Sequence, residues 1–334
     1  MSLVFIAYMV MCFFGIFFCF FEIKKIVGYV VFFVLFTVFS IIARNSELKV
    51  DMVNYFQILS YDWDSYLTNF YYLKEPVYWL SSKFLFSIVN NELLVFILID
   101  VISMALFLYF CYKNQVSNYF VFLFFCFFVS IMGFQNIYRQ YLATFLIFSS
   151  VFLIKDKGDL SFFKKNVVMV ISILTHNVSA LFYPLIYLRL GKKNLTYFFI
   201  VTCFVFYFLW KFLDTKSSSE TGEVGVGVFL GFLIFLFFIY SLINKFRFYG
   251  EELINFLKFI YLIVLSLFCL SLLGQAQFKR VIMIALVLSI YMIYKAIELK
   301  FKKNDKILIR LTFFIVLVIP CFIFNSVKNF LMVQ

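Results

Sequence analysis

Apolar stretches close to twenty residues long recur from one end of this chain to the other. Nothing else in the sequence restricts the fold as much. Wound as a helix, each matches the hydrocarbon thickness of a bilayer. Lipid offers the backbone no other partner, so each is helical by default. Composition agrees, with 65% hydrophobic and only 14% charged residues. A soluble domain of this size could not bury so much hydrocarbon.

The expected fold is therefore all-α: a polytopic integral membrane helical bundle, with residues 1–334 as a single membrane domain. About ten full spans are expected near 3–21, 27–43, 92–111, 118–134, 139–154, 195–213, 228–245, 256–273, 279–297 and 307–327. The first stretch has no preceding Lys or Arg and is followed by Lys24 and Lys25. It is expected to be a retained helix with its start outside rather than a cleaved export signal. Two further apolar pieces, 76–89 and 166–188, fit a full span poorly. The second is expected to be a re-entrant or broken helix pair with arms of about eleven residues, breaking at His176-Asn177.

Basic residues orient the chain. If 76–89 does not cross and 166–188 returns to its own side, 19 of the 29 basic residues share one face. They include Lys24, Lys25, Lys113, Lys164, Lys165 and the run from Lys300 to Arg310. The positive-inside rule makes that face cytoplasmic. The net charge of +12 then reflects orientation and contact with anionic lipid heads. No basic stripe with stacking aromatics suggests nucleic acid. The seven cysteines are scattered singly, without metal-ligand or disulfide spacing.

The outer polar inventory is small. Segment 44–91 is expected to be a large outer loop with an interfacial helix. It carries Asp51, Asp62, Asp64 and Glu75 among Tyr55, Tyr61, Trp63, Tyr66, Tyr71, Tyr78 and Trp79. Those aromatics suit either a headgroup-level belt or a ledge that covers sugar C–H faces while carboxylates accept hydroxyl hydrogen bonds. In "GFQNIYRQYLATF", Arg139 stands with Gln135, Asn136, Tyr138 and Gln140 where a helix returns from outside. "GQAQFKRVIMIA" offers Arg280 at a similar point. Each guanidinium is either a snorkelling anchor or part of a cradle for a diphosphate, whose oxygens its fork matches. Asp100, mid-span, needs a partner: a facing Ser or Tyr, or a buried polar network. The only histidine, His176, is either a hydrogen-bonded packing residue or a functional group at the expected helix break. Segment 214–227, rich in Gly and Ser, is expected to be a mobile outer loop. Its G-x-G letters follow no strand and carry no nucleotide site.

In order, "DMVNY", "EPVYWL", "NIYRQYLATFLIFSSVFLI" and "VVMVISILTHNVSALFYPL" resemble the EpsG-like branch of the Wzy polysaccharide (O-antigen) polymerases over about residues 45–190. The R-Q-x-x-A element at Arg139 and the H-x-x-S-A element at His176 are the most specific. Beyond 190 only hydropathy and Arg280 carry the likeness. The resemblance implies a multi-pass glycosyltransferase of the bacterial inner membrane with its active site facing the periplasm. It would polymerise undecaprenyl-diphosphate-linked oligosaccharide repeats, as in O-antigen, capsule or exopolysaccharide synthesis.

Such chemistry requires cations on the departing diphosphate, a base for the attacking hydroxyl, and alignment of two long substrates. Arg139, Arg280 and Gln140 are the candidates for the diphosphate. His176, Glu75 and Asp51 compete as base, a carboxylate there being expected to have a raised pKa. Tyr55, Tyr138 and Asn177 are the candidates for the glycan. No cofactor is expected; Asp62-Trp63-Asp64 matches only the letters of a metal motif, and fixed positive charge is expected to take a metal's place. The expected partners are the lipid-linked oligosaccharides, membrane lipid, a chain-length regulator and a flippase, with no nucleic acid. A flippase or other transporter, and an O-antigen ligase, are the alternatives. Against a transporter, the arginines cluster outside and no matched pair of broken segments relates the two halves.

Overall fold

The computed structural model describes residues 2–46, 50–154, 159–189, 191–211 and 224–332. They form helices α1 (Leu3–Phe20), α2 (Lys25–Arg44), α3 (Val50–Leu59), α4 (Trp63–Thr68), α5 (Phe70–Leu73), α6 (Pro76–Val89), α7 (Glu92–Lys113), α8 (Asn118–Cys126), α9 (Phe128–Asn136) and α10 (Tyr138–Phe148). A π turn, Ser149–Leu153, leads to α11 (Asp159–Thr175) and a 3₁₀ stretch, Asn177–Ile186. The chain continues through α12 (Lys192–Lys211), α13 (Val226–Ile243), α14 (Glu251–Lys300), α15 (Lys303–Val318), α16 (Pro320–Ile323) and α17 (Asn325–Met332). The protein is thus an all-α polytopic membrane bundle, and no strand occurs among the described residues.

Among those residues, six helices are long and apolar enough to cross a membrane; α8 and α9, bent by 55°, add a seventh if counted as one span. Two of the expected spans, 256–273 and 279–297, lie on α14. A straight helix of 50 residues would be about 75 Å long, far more than a bilayer core. Gly274 interrupts it, with φ 78° and ψ 178°, a conformation that only glycine adopts without strain. The expected span 139–154 is α10 running into the π turn. Segment 76–89 is α6, whose 14 residues are too few for a full crossing. The helical arm before His176 has 17 residues, longer than the eleven expected, and it ends where expected. Most of 214–227 lies outside the described residues.

The contacts divide the chain into two compact units, residues 1–177 with 310–334, and 178–309. In the first, α8 is buried on every side, so its apolar residues pack on protein rather than on lipid. Its phenylalanines meet those of α1 and α2 at edges and faces: Phe122 meets Phe18 at 5.2 Å and Phe32 at 4.9 Å, and Phe125 meets Phe36 at 5.0 Å. Close approach of α2 and α8 depends on Gly28, where an added Cβ would lie 2.2 Å from Asn118 Cγ. Gly28→Leu is therefore expected to destabilise the protein by about 2–3 kcal/mol or more, lowering its melting temperature in detergent. Gly231→Ala on α13, where a Cβ meets nothing within 4 Å, is expected to be tolerated.

In the second unit, α13 packs along α14, Tyr240 meeting Phe259 at 5.2 Å. Residues Val281–Tyr294, beyond the Gly274 break, are buried throughout.

Candidate functional site

Three helix ends of the first unit meet around one carboxylate. Glu75 is the residue before α6, and Pro76 occupies the first helical position, where its missing N–H costs nothing. An acid at this place commonly caps its own helix, but the Glu75 side chain makes no such bond. Its Oε2 instead accepts from Arg139 Nη1, and its Oε1 lies 2.8 Å from His176 Nδ1 and accepts from the Asn177 N–H at 3.2 Å. Arg139 is the second residue of α10. His176 closes the last turn of α11, its N–H donating to the Ser172 carbonyl at 2.9 Å.

The Arg139 guanidinium is also enclosed by rings. Nη2 donates to the Tyr71 hydroxyl at 3.1 Å and Nε to that of Tyr55 at 3.4 Å. The Trp79 ring centre lies 5.0 Å from the guanidinium carbon, and those of Tyr55 and Tyr71 lie at 5.5 Å. Tyr55, Tyr66, Tyr72, Tyr78 and Trp79 are buried and pack on one another and on Tyr71, which is exposed, as are Tyr61, Trp63 and Phe70. Of the aromatics in segment 44–91, Tyr55, Tyr71 and Trp79 thus wall Arg139.

Burial opposes ionisation of Glu75. The hydrogen bond and charge of His176, the Arg139 guanidinium and the Asn177 N–H outweigh it and bring the pKa down to about 2. The expected upward shift is reversed, because three donors stabilise the charged form. An ionised carboxylate can only accept, so His176 Nδ1 carries its proton toward Glu75, and Nε2 is the basic nitrogen of the neutral ring. Of the three side chains, Arg139 is the most accessible, at 14% against 8% for His176 and 2% for Glu75. The guanidinium has five N–H groups, and its three hydrogen bonds leave two for a ligand.

A second network lies directly behind. Arg44 and Ser40, one turn apart on α2, both reach Asp100: Ser40 Oγ at 2.6 Å, Arg44 Nε at 2.9 Å and Nη2 at 3.1 Å. Tyr138 donates its hydroxyl to Asp100 Oδ1 at 2.7 Å. The guanidinium also lies against the Phe134 and Tyr138 rings, at 3.9 and 4.6 Å. All four polar residues are buried. Successive helical residues point about 100° apart, so Tyr138 enters this network while Arg139 turns to Glu75. The Ser and Tyr partners expected for Asp100 are present. Arg44, which the sequence reading did not single out, is its counter-ion; the signal was its i, i+4 spacing from Ser40, facing a buried acid.

The other expected residues are placed as follows. Gln140 is buried on α10. Asp51 falls on α3, and its side chain lies outside the described residues. Arg280 belongs to the second unit, half-buried beyond the Gly274 break. No group of three or more His, Cys, Asp or Glu side chains among the described residues is arranged to hold a metal ion.

Within the first unit this site lies opposite the lysine-rich end. Lys25 reaches the Gln115 carbonyl, Tyr29 donates to that of Val116 at 2.6 Å, and Arg310 pairs with Glu22 at 2.9 Å; α2 then runs away from them to Arg44. Fold and site together describe a multi-pass membrane protein with a buried ionic centre at one end of its helices. The chain belongs to the EpsG family, whose model matches residues 28–333, and is in general terms a polysaccharide-polymerase-like membrane protein. No curated protein and no solved structure matches it.

Proposed function

We propose that the protein is a glycosyltransferase that polymerises undecaprenyl-diphosphate-linked oligosaccharide repeats at the outer face of the bacterial inner membrane. The observation that carries this reading is the single carboxylate joining Arg139 to His176. An acceptor hydroxyl of the incoming lipid-linked repeat attacks the anomeric carbon of the donor glycan. His176 Nε2 takes the hydroxyl proton as the new C–O bond forms. The old bond breaks with its electron pair going to the diphosphate oxygen, and Arg139 neutralises the departing lipid diphosphate. Glu75 touches neither substrate; it fixes the histidine's tautomer and stabilises the imidazolium, the division of labour seen in acid–histidine–nucleophile triads. The outward orientation rests on the site lying opposite the lysine-rich end.

The test uses the full chain in nanodiscs with lipid-linked repeats. The wild type is expected to make a ladder of products. Arg139→Ala and His176→Ala are each expected to slow it by roughly 10²–10⁴-fold. Ladders unchanged in both variants would remove the site assignment. A single transfer to an unlike acceptor would make the protein a ligase. Acting as a base, His176 gives a rate that rises with pH through its own titration, whereas a phosphate-holding cation gives the opposite. Chelation with EDTA is expected to leave the rate unchanged.

A further inference from the structure

Beside the ionic centre, α6, α7, α10 and α11 leave a groove of about 370 Å³. Tyr78 and Thr175 line one end, and Phe110 lies farthest along α7 toward Lys113. Tyr78 is three residues beyond Glu75, and Thr175 immediately precedes His176, so the groove begins against the wall of the site. From Ile99 to Phe110 it follows α7 for about 16 Å, roughly half the hydrocarbon thickness of a bilayer.

The lining is apolar in effect although several residues are not. Ser82 donates to the Tyr78 carbonyl at 2.7 Å, Ser103 to that of Asp100 at 3.0 Å and Thr175 to that of Ile171 at 2.8 Å. These hydroxyls are taken up by their own helices, and the small side chains widen the slot without offering a ligand a partner. Tyr78 lines the slot at the end nearest Arg139, but its hydroxyl is buried and does not open onto the slot. The rim residues Phe84, Ile102 and Leu106 are 60%, 49% and 52% exposed, which leaves the slot open from the side.

A sugar or a soluble molecule would find almost no hydrogen-bonding group along this slot. An amphiphile with a phosphorylated head and a long hydrocarbon tail fits both parts, its head at Arg139 and its tail along α7. Resting on the polymerase reading above, we propose that the groove holds the polyprenyl tail of the lipid-linked diphosphate substrate.

The test is photolabelling of the full chain in nanodiscs with a polyprenyl diphosphate carrying a diazirine midway along its tail. Labels are expected on α6 and on α7 between Ser103 and Phe110. Unlabelled polyprenyl diphosphate is expected to displace the probe, and equal phosphatidylglycerol is not. Leu106→Trp, on the exposed rim, is expected to cut labelling about tenfold and to raise KM about tenfold for long-tailed repeats but not for repeats on a two-isoprene carrier. Ile88→Trp, exposed on α6 outside the groove, is expected to do neither.

Labels elsewhere, equal displacement by phosphatidylglycerol, or Leu106→Trp labelled like the wild type would each overturn the proposal; the second outcome would make the occupant ordinary bilayer lipid. If the groove is labelled but no polymer forms with any carrier, the polymerase reading falls and the groove stands. If polymer forms and the label lies elsewhere, the groove alone falls.

Discussion

Glu75→Gln is expected to leave the helices in place and slow polymer formation by roughly 10²–10⁴-fold. Glutamine keeps the size of the side chain and loses the charge. Its amide can donate to His176 Nδ1, which stabilises the wrong tautomer and turns the basic nitrogen away from its task. It also leaves the Arg139 cation without its counter-ion inside the aromatic wall. Rates from the ladder assay read the first effect. A substitution that left them unchanged would end Glu75's positioning role.

The same variant makes a pH prediction. The folded-state pKa of Glu75, about 2, is below the ordinary glutamate value of 4.5. Its contribution to stability is therefore fully present above the unfolded value and is lost as pH falls from about 4.5 through 2. The shift corresponds to something on the order of 3 kcal/mol. Melting temperatures measured between pH 3 and 7 are expected to fall at the acid end more steeply in the wild type than in Glu75→Gln.

Breaking the second network is expected to have the larger effect on stability. Arg44→Met alone, or Asp100→Leu alone, leaves one buried charge unpaired, at a cost of about 3–5 kcal/mol. Arg44→Met with Asp100→Leu removes both charges and is expected to recover most of that loss, because desolvation offsets much of what a buried pair gains. The double variant still lacks the acceptor of the Tyr138 hydroxyl. Tyr138 precedes Arg139 at the start of α10, so the rate is expected to stay low although the melting temperature returns. Recovery of both together would show that Asp100 serves only the fold. Tyr138→Phe, which keeps the ring and drops the hydroxyl, is expected to reproduce the loss of rate with little loss of stability.

Much of the architecture was legible in the sequence because lipid imposes a length and a backbone rule on every span. The helix end at His176 was legible too, since a polar pair interrupts an apolar run and the arm before it is short. The site was legible only as separate residues. Glu75, Arg139 and His176 each had an innocent reading, as an interfacial acid, a snorkelling anchor and a packing histidine. Arg44 was hidden for the same reason: an arginine at the end of a span looks like an anchor until an acid is found facing it. Trp79 and Tyr71 appeared among the outer aromatics, and nothing in their spacing indicated that they would wall a guanidinium.

The class of the protein and the position of most of its helices follow from one-dimensional pattern, because hydrophobic length and charge asymmetry are local properties of the chain. Which cation meets which anion was decided by the tertiary structure alone. Residues 75, 139 and 176 share one centre, and residues 44, 100 and 138 another, because α2, α6, α7, α10 and α11 bring their ends together. Pairing energy depends on distances of about 3 Å, and such distances between remote residues exist only after the helices have packed.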